Sequence, residues 1–463
     1  MKKILLVFIC LLFLVGCDKK GCNNETVEFD HSGILTYYLD ENPTDKLKEL
    51  KLKVTNKGKE TFYLLNDESI KISGFNFDKI GEYKALVTFN NNTYSFKYKV
   101  EIRKWDEKSS TSWYSDDKDT LYISTATELA GLAKLVNDGN DFSGKVIKLK
   151  YDIDLNNLPW IPIGTSGVGN YSEFNKYFSG TLDGDGHTIY NLYTKAEHKN
   201  VGEHLDSETS YYHFGLFGYV KNGTIKNVNI QNVDITNGMG NEFKRSFQGT
   251  GALVGYTNGE VLIENVKVLG KIKIKGEYKV GGVVGSCGGS SITVKNTYVR
   301  GDDNSFIGGT DEEYKDTNNF GGLVGFTATS KTIIDNVLTD IDVDGYTCGG
   351  IIGNVTEGTF SLTNACVYGN ISNKEGSVVG GLVGGRFVNM KLSNCYVVGS
   401  VSSLNNTYSD ILVSKYGDSS VNIEVENVYF NNTSFDNEKV HNSLNATSLS
   451  KEELDKKVPS NLK

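Results

Sequence analysis

The feature that most constrains this chain is a glycine-centred repeat. Six segments, residues 214–218, 250–255, 280–285, 320–325, 348–353 and 379–384, share two apolar residues closed by a glycine, with another glycine just before them. The closing glycines are Gly218, Gly255, Gly285, Gly325, Gly353 and Gly384, spaced 28 to 40 residues apart. A second strand follows each, built around Asn227, Asn265, Asn296, Asn336, Asn364 and Asn394; a seventh copy, 411–414 before Asn427, has lost its glycines. Units that recur in this way bury a core only against their neighbours.

Apolar residues keep station around each Asn. Two before it stand Ile225, Ile263, Val294, Ile334, Leu362, Leu392 and Val425. One after it stand Val228, Val266, Thr297, Val337, Ala365, Cys395 and Val428, and three after it Ile230, Val268, Val299, Thr339, Val367, Val397 and Phe430. The +1 and +3 positions share a strand face. Two short strands per repeat with no helix between them predict a parallel β-solenoid over residues 121–430, its columns stacked at about 4.8 Å per coil. On this reading the Asn residues form an internal ladder, and the glycines turn corners at positive φ. The composition agrees: 51 Gly beside only 4 Pro fits many short strands and tight turns, and excludes collagen.

Residues 178–189, Phe-Ser-Gly-Thr-Leu-Asp-Gly-Asp-Gly-His-Thr-Ile, with the Gly-Gly-Leu-Val-Gly series after them, resemble the GLUG-motif proteins of bacterial surfaces. Residues 121–155 and 160–164 fit the opening of that module. The resemblance covers about two thirds of the chain. It implies a right-handed parallel β-helix of the kind found in adhesins and beside the protease domains of immunoglobulin A peptidases, and with it surface display and binding.

One helix stands out. Thr125 and Glu128 make a capping-box pair, Leu129, Leu132, Ala133 and Val136 form one apolar stripe, and Asn137 and Gly139 end it. Its place predicts a cap on the amino-terminal end of the solenoid, which would otherwise expose strand edges. The degenerate seventh copy and the polar tail, 431–463, are expected to close the opposite end, with a short helix starting at Ser450. Residues 26–102 alternate in period 2 with no helical period, which predicts a small β-sandwich, and residues 90–93 read as a hairpin loop. Through Ser73-Gly74-Phe75, residues 79–83 and residues 94–100, this stretch resembles a bacterial Ig-like domain, a family of spacers and adhesive modules. The charged, Ser/Thr-rich stretch 103–120 reads as a linker in which Trp105 and Trp113 can dock on a neighbour.

The first residues address the compartment. Lys2 and Lys3 precede an apolar run, 4–15, too short to span a bilayer, so residues 1–16 read as a signal peptide. The ending Leu14-Val15-Gly16-Cys17 resembles the bacterial lipobox, which implies lipid on Cys17, a polar tether over 17–25, and a protein anchored to the extracytoplasmic face of a bacterial membrane. Five further cysteines remain after Cys10 and Cys17: Cys22, Cys287, Cys348, Cys366 and Cys395. They show no metal-ligand spacing, and burial as small apolar residues is their expected fate.

The net charge of −9 argues against nucleic acid as a partner. The six histidines contain no His-Glu-x-x-His, and neither a Gly-x-Ser-x-Gly nucleophile turn nor a phosphate loop is present. No catalytic, cofactor or metal residue is therefore expected. The competing reading is a carbohydrate-active enzyme, with Asp152, Asp154, Asp183 and Asp185 as its carboxylates and His187 beside them; turn chemistry explains the same residues. A purely structural envelope protein is the third reading. Binding of a host or environmental glycan or protein is expected in the insertions 166–176, 194–212, 239–248 and 302–317, with Tyr171, Phe174, Tyr211 and Tyr314 as candidate contacts.

Overall fold

The computed structural model describes residues 25–30, 34–41, 50–77, 79–165, 175–197, 213–238, 249–309, 318–373, 378–403, 409–432 and 445–463. Cys17 and the leader, Cys10, Cys22, and the insertion residues Tyr171, Phe174, Tyr211 and Tyr314 lie outside the described residues. No helix among those described is long and apolar enough to cross a membrane. The chain divides into two compact units between Glu101 and Ile102.

Among the described residues the first unit holds seven strands in two sheets. Strands β1 (Glu25–Phe29), β3 (Lys51–Asn56) and β4 (Lys59–Leu64) form one antiparallel sheet. Strands β2 (Leu35–Tyr38), β5 (Lys71–Ser73), β6 (Gly81–Phe89) and β7 (Asn92–Glu101) form the other, in which β2 runs parallel to β7. The hairpin loop is the pair Asn90-Asn91, both at positive φ, as a two-residue turn between strands requires. Phe29 meets Phe96 at 5.2 Å and Tyr63 meets Phe89 at 4.7 Å, so the two sheets face one another across aromatic contacts. Tyr98 anchors the Gly74 bend: its hydroxyl accepts from Asn76 N–H at 2.6 Å.

The second unit is dominated by a parallel sheet running coil to coil, in the arrangement of a β-solenoid. Ile225, Ile263, Val294, Ile334, Leu362, Leu392 and Val425 are direct strand partners in successive coils, and the first six are fully buried. Each such side chain stabilises the core by about 1.5–3 kcal/mol of transfer free energy. Each full coil also contains a third element. The short strands Gly249–Gly251, Lys279–Gly281, Asn319–Gly321, Thr347–Gly349 and Val378–Gly380 make a five-stranded parallel sheet of their own. A bend after each lets both apolar residues of the motif point inward, as with Leu323 and Val324, which strict alternation forbids.

Two expectations about the repeat are corrected. No motif glycine has positive φ; the Asn residues have it instead, with φ of 50–55° at Asn227, Asn265, Asn296, Asn336, Asn364, Asn394 and Asn427. The motif glycines are there for space. A methyl on Gly322 would run into the carbonyl oxygen of Gly350 in the next coil, and one on Gly350 into that of Gly381. The ladder, moreover, is not internal. Asn336 donates to Asn296 at 2.7 Å, Asn394 to Asn364 at 3.1 Å and Asn427 to Asn394 at 3.2 Å, yet these side chains remain partly or wholly exposed. The left-handed residue resets the strand alternation, so positions −2 and +1 both face inward while the Asn marks an outer corner.

The helix forms where expected, α1 (Ala126–Asn137), between β8 (Thr120–Ile123) and β9 (Val146–Leu149). Thr125 Oγ1 accepts from Glu128 N–H, while the Glu128 carboxylate reaches one residue further back, to Ser124 N–H at 2.6 Å. Leu129, Leu132, Ala133 and Val136 are buried in the same core as the solenoid columns.

The stretch 103–120 is not a free linker. Trp105 is buried in the solenoid core and meets Trp160 at 5.4 Å, and Trp113 stacks on Phe142. Gly131 leaves room for Ser110 against α1. Aromatic burial here outweighs the polar composition.

The tail forms its short helix at Ser450 as expected but lies elsewhere than expected. Thr447–Leu449 adds a parallel strand to Ile423–Asn431, and α2 (Lys451–Lys457) starts at a capping box on Ser450. The segment then turns back along the outside of the solenoid: Leu454, Val458 and Leu462 are buried against Cys366, Tyr396 and Val398, and Asn461 donates to Asn336 at 2.8 Å. The outward position two after each ladder Asn explains the placement. It is polar in Asn229 and Lys267 but then reads Tyr298, Leu338, Cys366, Tyr396 and Tyr429, an apolar strip that requires a cover.

Candidate functional site

The four sequence-selected carboxylates are committed to structural partners. Asp152 Oδ1 accepts from Thr188 N–H at 2.9 Å and lies 3.2 Å from His187 Nδ1. Asp154 Oδ1 accepts from Asn156 N–H and from Asn191 Nδ2, while Asn191 Oδ1 accepts from Asn232 Nδ2. Asp183 begins the main ladder: Asn227 Nδ2 donates to it at 3.0 Å, and Asn265 donates to Asn227. Burial pushes the Asp183 carboxyl up, but Asn227, the Asp185 N–H, Lys226 and Lys148 together hold it below the usual carboxylate range. Asp185, at φ +52°, and Gly186, at +88°, form the turn that follows. Turn, ladder and imidazole contacts account for each of these residues.

A different row of side chains has the makings of a site. The residue directly after the closing glycine of each repeat points away from the core, because its neighbours on either side, such as Val254 and Thr257 around Gly255-Tyr256, face it; Tyr256 and Phe326 are part-exposed, whereas Tyr219, Ser286 and Asn354 are buried. In successive coils this position is Tyr219, Tyr256, Ser286, Phe326 and Asn354, joined in register. Tyr177 extends the row by one step. Ring centroids are 5.5 Å apart for Tyr177 and Tyr219 and 5.1 Å for Tyr219 and Tyr256. Lys221 Nζ lies 4.7 Å from the Tyr177 ring centroid, and Lys279 Nζ lies 4.0 Å from that of Phe326. Both are within cation–π range.

Lys279 enters from the neighbouring short strand, whose next residue, Val280, is in the core. Burial drops its pKa to about 8, with the Cys287 thiol working the other way. Burial likewise drops His213, stacked on Tyr256 at 4.9 Å, to about 3, with Lys279 adding to the effect. His213 Nδ1 accepts from Gly249 N–H at 3.0 Å, so the neutral ring carries its proton on Nε2. Burial raises Cys287 to about 12. Cys287, Cys348, Cys366 and Cys395 are all buried and free.

The strip under the tail leaves a second, smaller feature. A cleft of about 300 Å³ is lined by Arg300, Asp340, Tyr368, Asp455 and Lys463. Arg300 Nε sits 3.4 Å from Asp340 Oδ2, so the main cation in the cleft already has its counter-charge. Sequence reasoning looked for binding in the insertions and missed the outward row. The signal was available in the residue immediately after each closing glycine, which is aromatic in three copies of six.

No protein-family model and no curated protein matches this chain. Among solved structures it is similar to an IgA1 protease, with a TM-score of 0.50 and 16% identity over 88% of this chain. The likeness concerns the fold. The chain spans 29% of the length of that protease.

Proposed function

We infer that this is a surface-anchored, non-catalytic binding protein whose solenoid presents a ligand-binding face. The observation that supports it is the row after the closing glycines, in which Tyr177, Tyr219 and Tyr256 stand in ring contact and Lys279 lies over Phe326 on a regular frame. The lipobox at Cys17 supports attachment to the extracytoplasmic face of a bacterial membrane, with the first unit as an Ig-like spacer. The motif series supports assignment to the GLUG-type, right-handed β-helices, with α1 as the amino-terminal cap. The likeness to an IgA1 protease supports the scaffold and carries neither that enzyme's substrate nor its chemistry to this chain.

The experiment is retention of the full chain on arrayed glycans, mucin and matrix proteins, with the eluate assayed for cleavage. Retention without products, reduced by Tyr256→Ala, is expected. Shortened or unsaturated products that vanish with Asp183→Asn would replace the binding reading with the enzymatic one. A blank array would leave a structural envelope role.

A further inference from the structure

Strand β4 ends its sheet, and among the described residues it pairs with β3 alone. Five of its six residues are exposed, Phe62 at 48% and Leu64 at 42%. Natural sheets blunt such an edge with a very short strand, a proline, a bulge or charges along it. The other edges of this unit follow that rule: β5 and β2 have three and four residues, and β1 carries Glu25 and Glu28. β4 does not. It contains no proline, its register with β3 runs unbroken over six pairs, and its two charges, Lys59 and Glu60, stand together at one end.

The ladder fixes which backbone groups this edge presents. Leu65 N–H donates to the Leu50 carbonyl, so in β4 the residues 59, 61 and 63 share its direction and turn their backbone groups towards β3. Glu60, Phe62 and Leu64 therefore aim N–H and C=O out of the edge. Their side chains lie on the outer face, in cross-strand rows with Thr55, Lys53 and Lys51, while Tyr63 on the other face meets Phe89. Three alternate residues have a centre of their own, at Phe62. A second β4, antiparallel and turned about a two-fold axis beside Phe62, sets Phe62 against Phe62 and Glu60 against Leu64 at both ends. All six outward groups are then bonded. Glu60 of the second copy also enters the row of Lys51, so opposite charges approach, whereas Lys53 is already held by Glu28 at 3.4 Å and by Glu60 at 2.6 Å.

We propose that β4 is the contact through which two copies of this chain join, edge to edge, into one sheet continuous across both first units. The inference goes beyond the reading of the solenoid as a binding module and does not depend on it. The self-matching register selects a second copy as the occupant: the same strand supplies the bonding row, the apolar centre and the opposing charges to both sides. Six hydrogen bonds and one central ring pair make a contact smaller than the roughly 800 Å² per partner of a standard stable complex. Association in the micromolar range is the corresponding expectation.

The test is sedimentation equilibrium of the full chain over a micromolar concentration series, with Cys17→Ser present throughout so that lipid cannot drive self-association. A reversible monomer–dimer equilibrium is expected. Phe62→Pro removes an N–H that β3 does not use, and Phe62→Lys sets like charges opposite one another; each should weaken the dimer about tenfold or more. Both should melt within a few degrees of the parent, and if the proline variant fails to fold the lysine variant carries the test. Leu86→Lys, on the exposed face of β6 in the other sheet, should leave the equilibrium unchanged. A short bis-maleimide should join Phe62→Cys into a dimer and leave Leu86→Cys no more joined than the parent, which accounts for the native cysteines. A chain that stays monomeric throughout would overturn the proposal and leave the edge to a strand of another protein. A dimer that survives both Phe62 variants, or one that the Phe62→Cys cross-link fails to capture, would overturn it as well, by placing the contact elsewhere.

Discussion

Replacing Lys279 by Met should make the protein more stable, and the size of the gain follows from the burial of the ammonium. Burial lowers the Lys279 pKa from 10.5 to about 8. A tenfold change in proton affinity corresponds to about 1.4 kcal/mol, so the charged form costs about 3 kcal/mol relative to the unfolded chain as an upper figure. The side chain keeps some exposure and gives up its Phe326 contact on substitution, which leaves about 1–2 kcal/mol of net gain. Methionine retains the apolar stem volume.

The sign of the pH dependence is fixed by the same lowering. Between about pH 8 and 10.5 the unfolded chain holds the proton that the folded one has lost, so the parent gains stability as pH rises through that window. Below about pH 8 both states are charged and the penalty is present in full. The advantage of Lys279→Met should therefore be largest at pH 7, about 1–3 °C in melting temperature for a unit of this size, and should vanish by about pH 10.5. Thermal unfolding followed by circular dichroism at pH 7 and pH 10 measures both. A variant that melts at or below the parent at pH 7, or a gain that persists undiminished at pH 10, would refute the account of Lys279 as a cation penalised by burial.

Four further perturbations test the frame. Gly322→Ala should cost about 1–3 kcal/mol or more in denaturant unfolding, since the new methyl meets the Gly350 carbonyl of the next coil; an unchanged midpoint would show that the coils can part. At Asn394, whose φ is +53° and which links Asn364 to Asn427, Gly should cost about 1 kcal/mol for the lost rung and Ala more, for strain in addition; equal costs would remove the conformational role. Leu132→Asp places a charge in the core beside α1 and should cost about 2–5 kcal/mol and promote aggregation, so an unaltered melting curve would strike out the cap. Cys17→Ser should end lipid labelling and release the protein to the soluble fraction; a variant that stays with membranes through a salt wash would defeat the lipoprotein reading.

Repetition made the main architecture legible before any coordinates. Columns at −2, +1 and +3 around each Asn, kept over seven copies, can be buried together only by stacking, and the register joins the members that the alignment paired. The same holds for α1, where cap and stripe are local and the helix forms almost residue for residue.

What local pattern left open were choices between two uses of one residue type. Gly and Asn both tolerate positive φ, and both can be placed for other reasons. Here Asn takes the left-handed corners and Gly the close approaches, and only the distance to the neighbouring coil separates them. The tail behaved likewise. Leu454, Val458 and Leu462 look like a weak amphipathic ending until Cys366, Tyr396 and Val398, distant in sequence, are placed beneath them. The outward row had the same character, since a lysine between a glutamate-tyrosine pair and a valine says nothing of Phe326, 47 positions further on. Sequence encodes a neighbour reliably when the neighbour is within a turn or recurs at a fixed period. The partners of Lys279, His213 and the tail are neither, and the coiling of the chain alone brought them together.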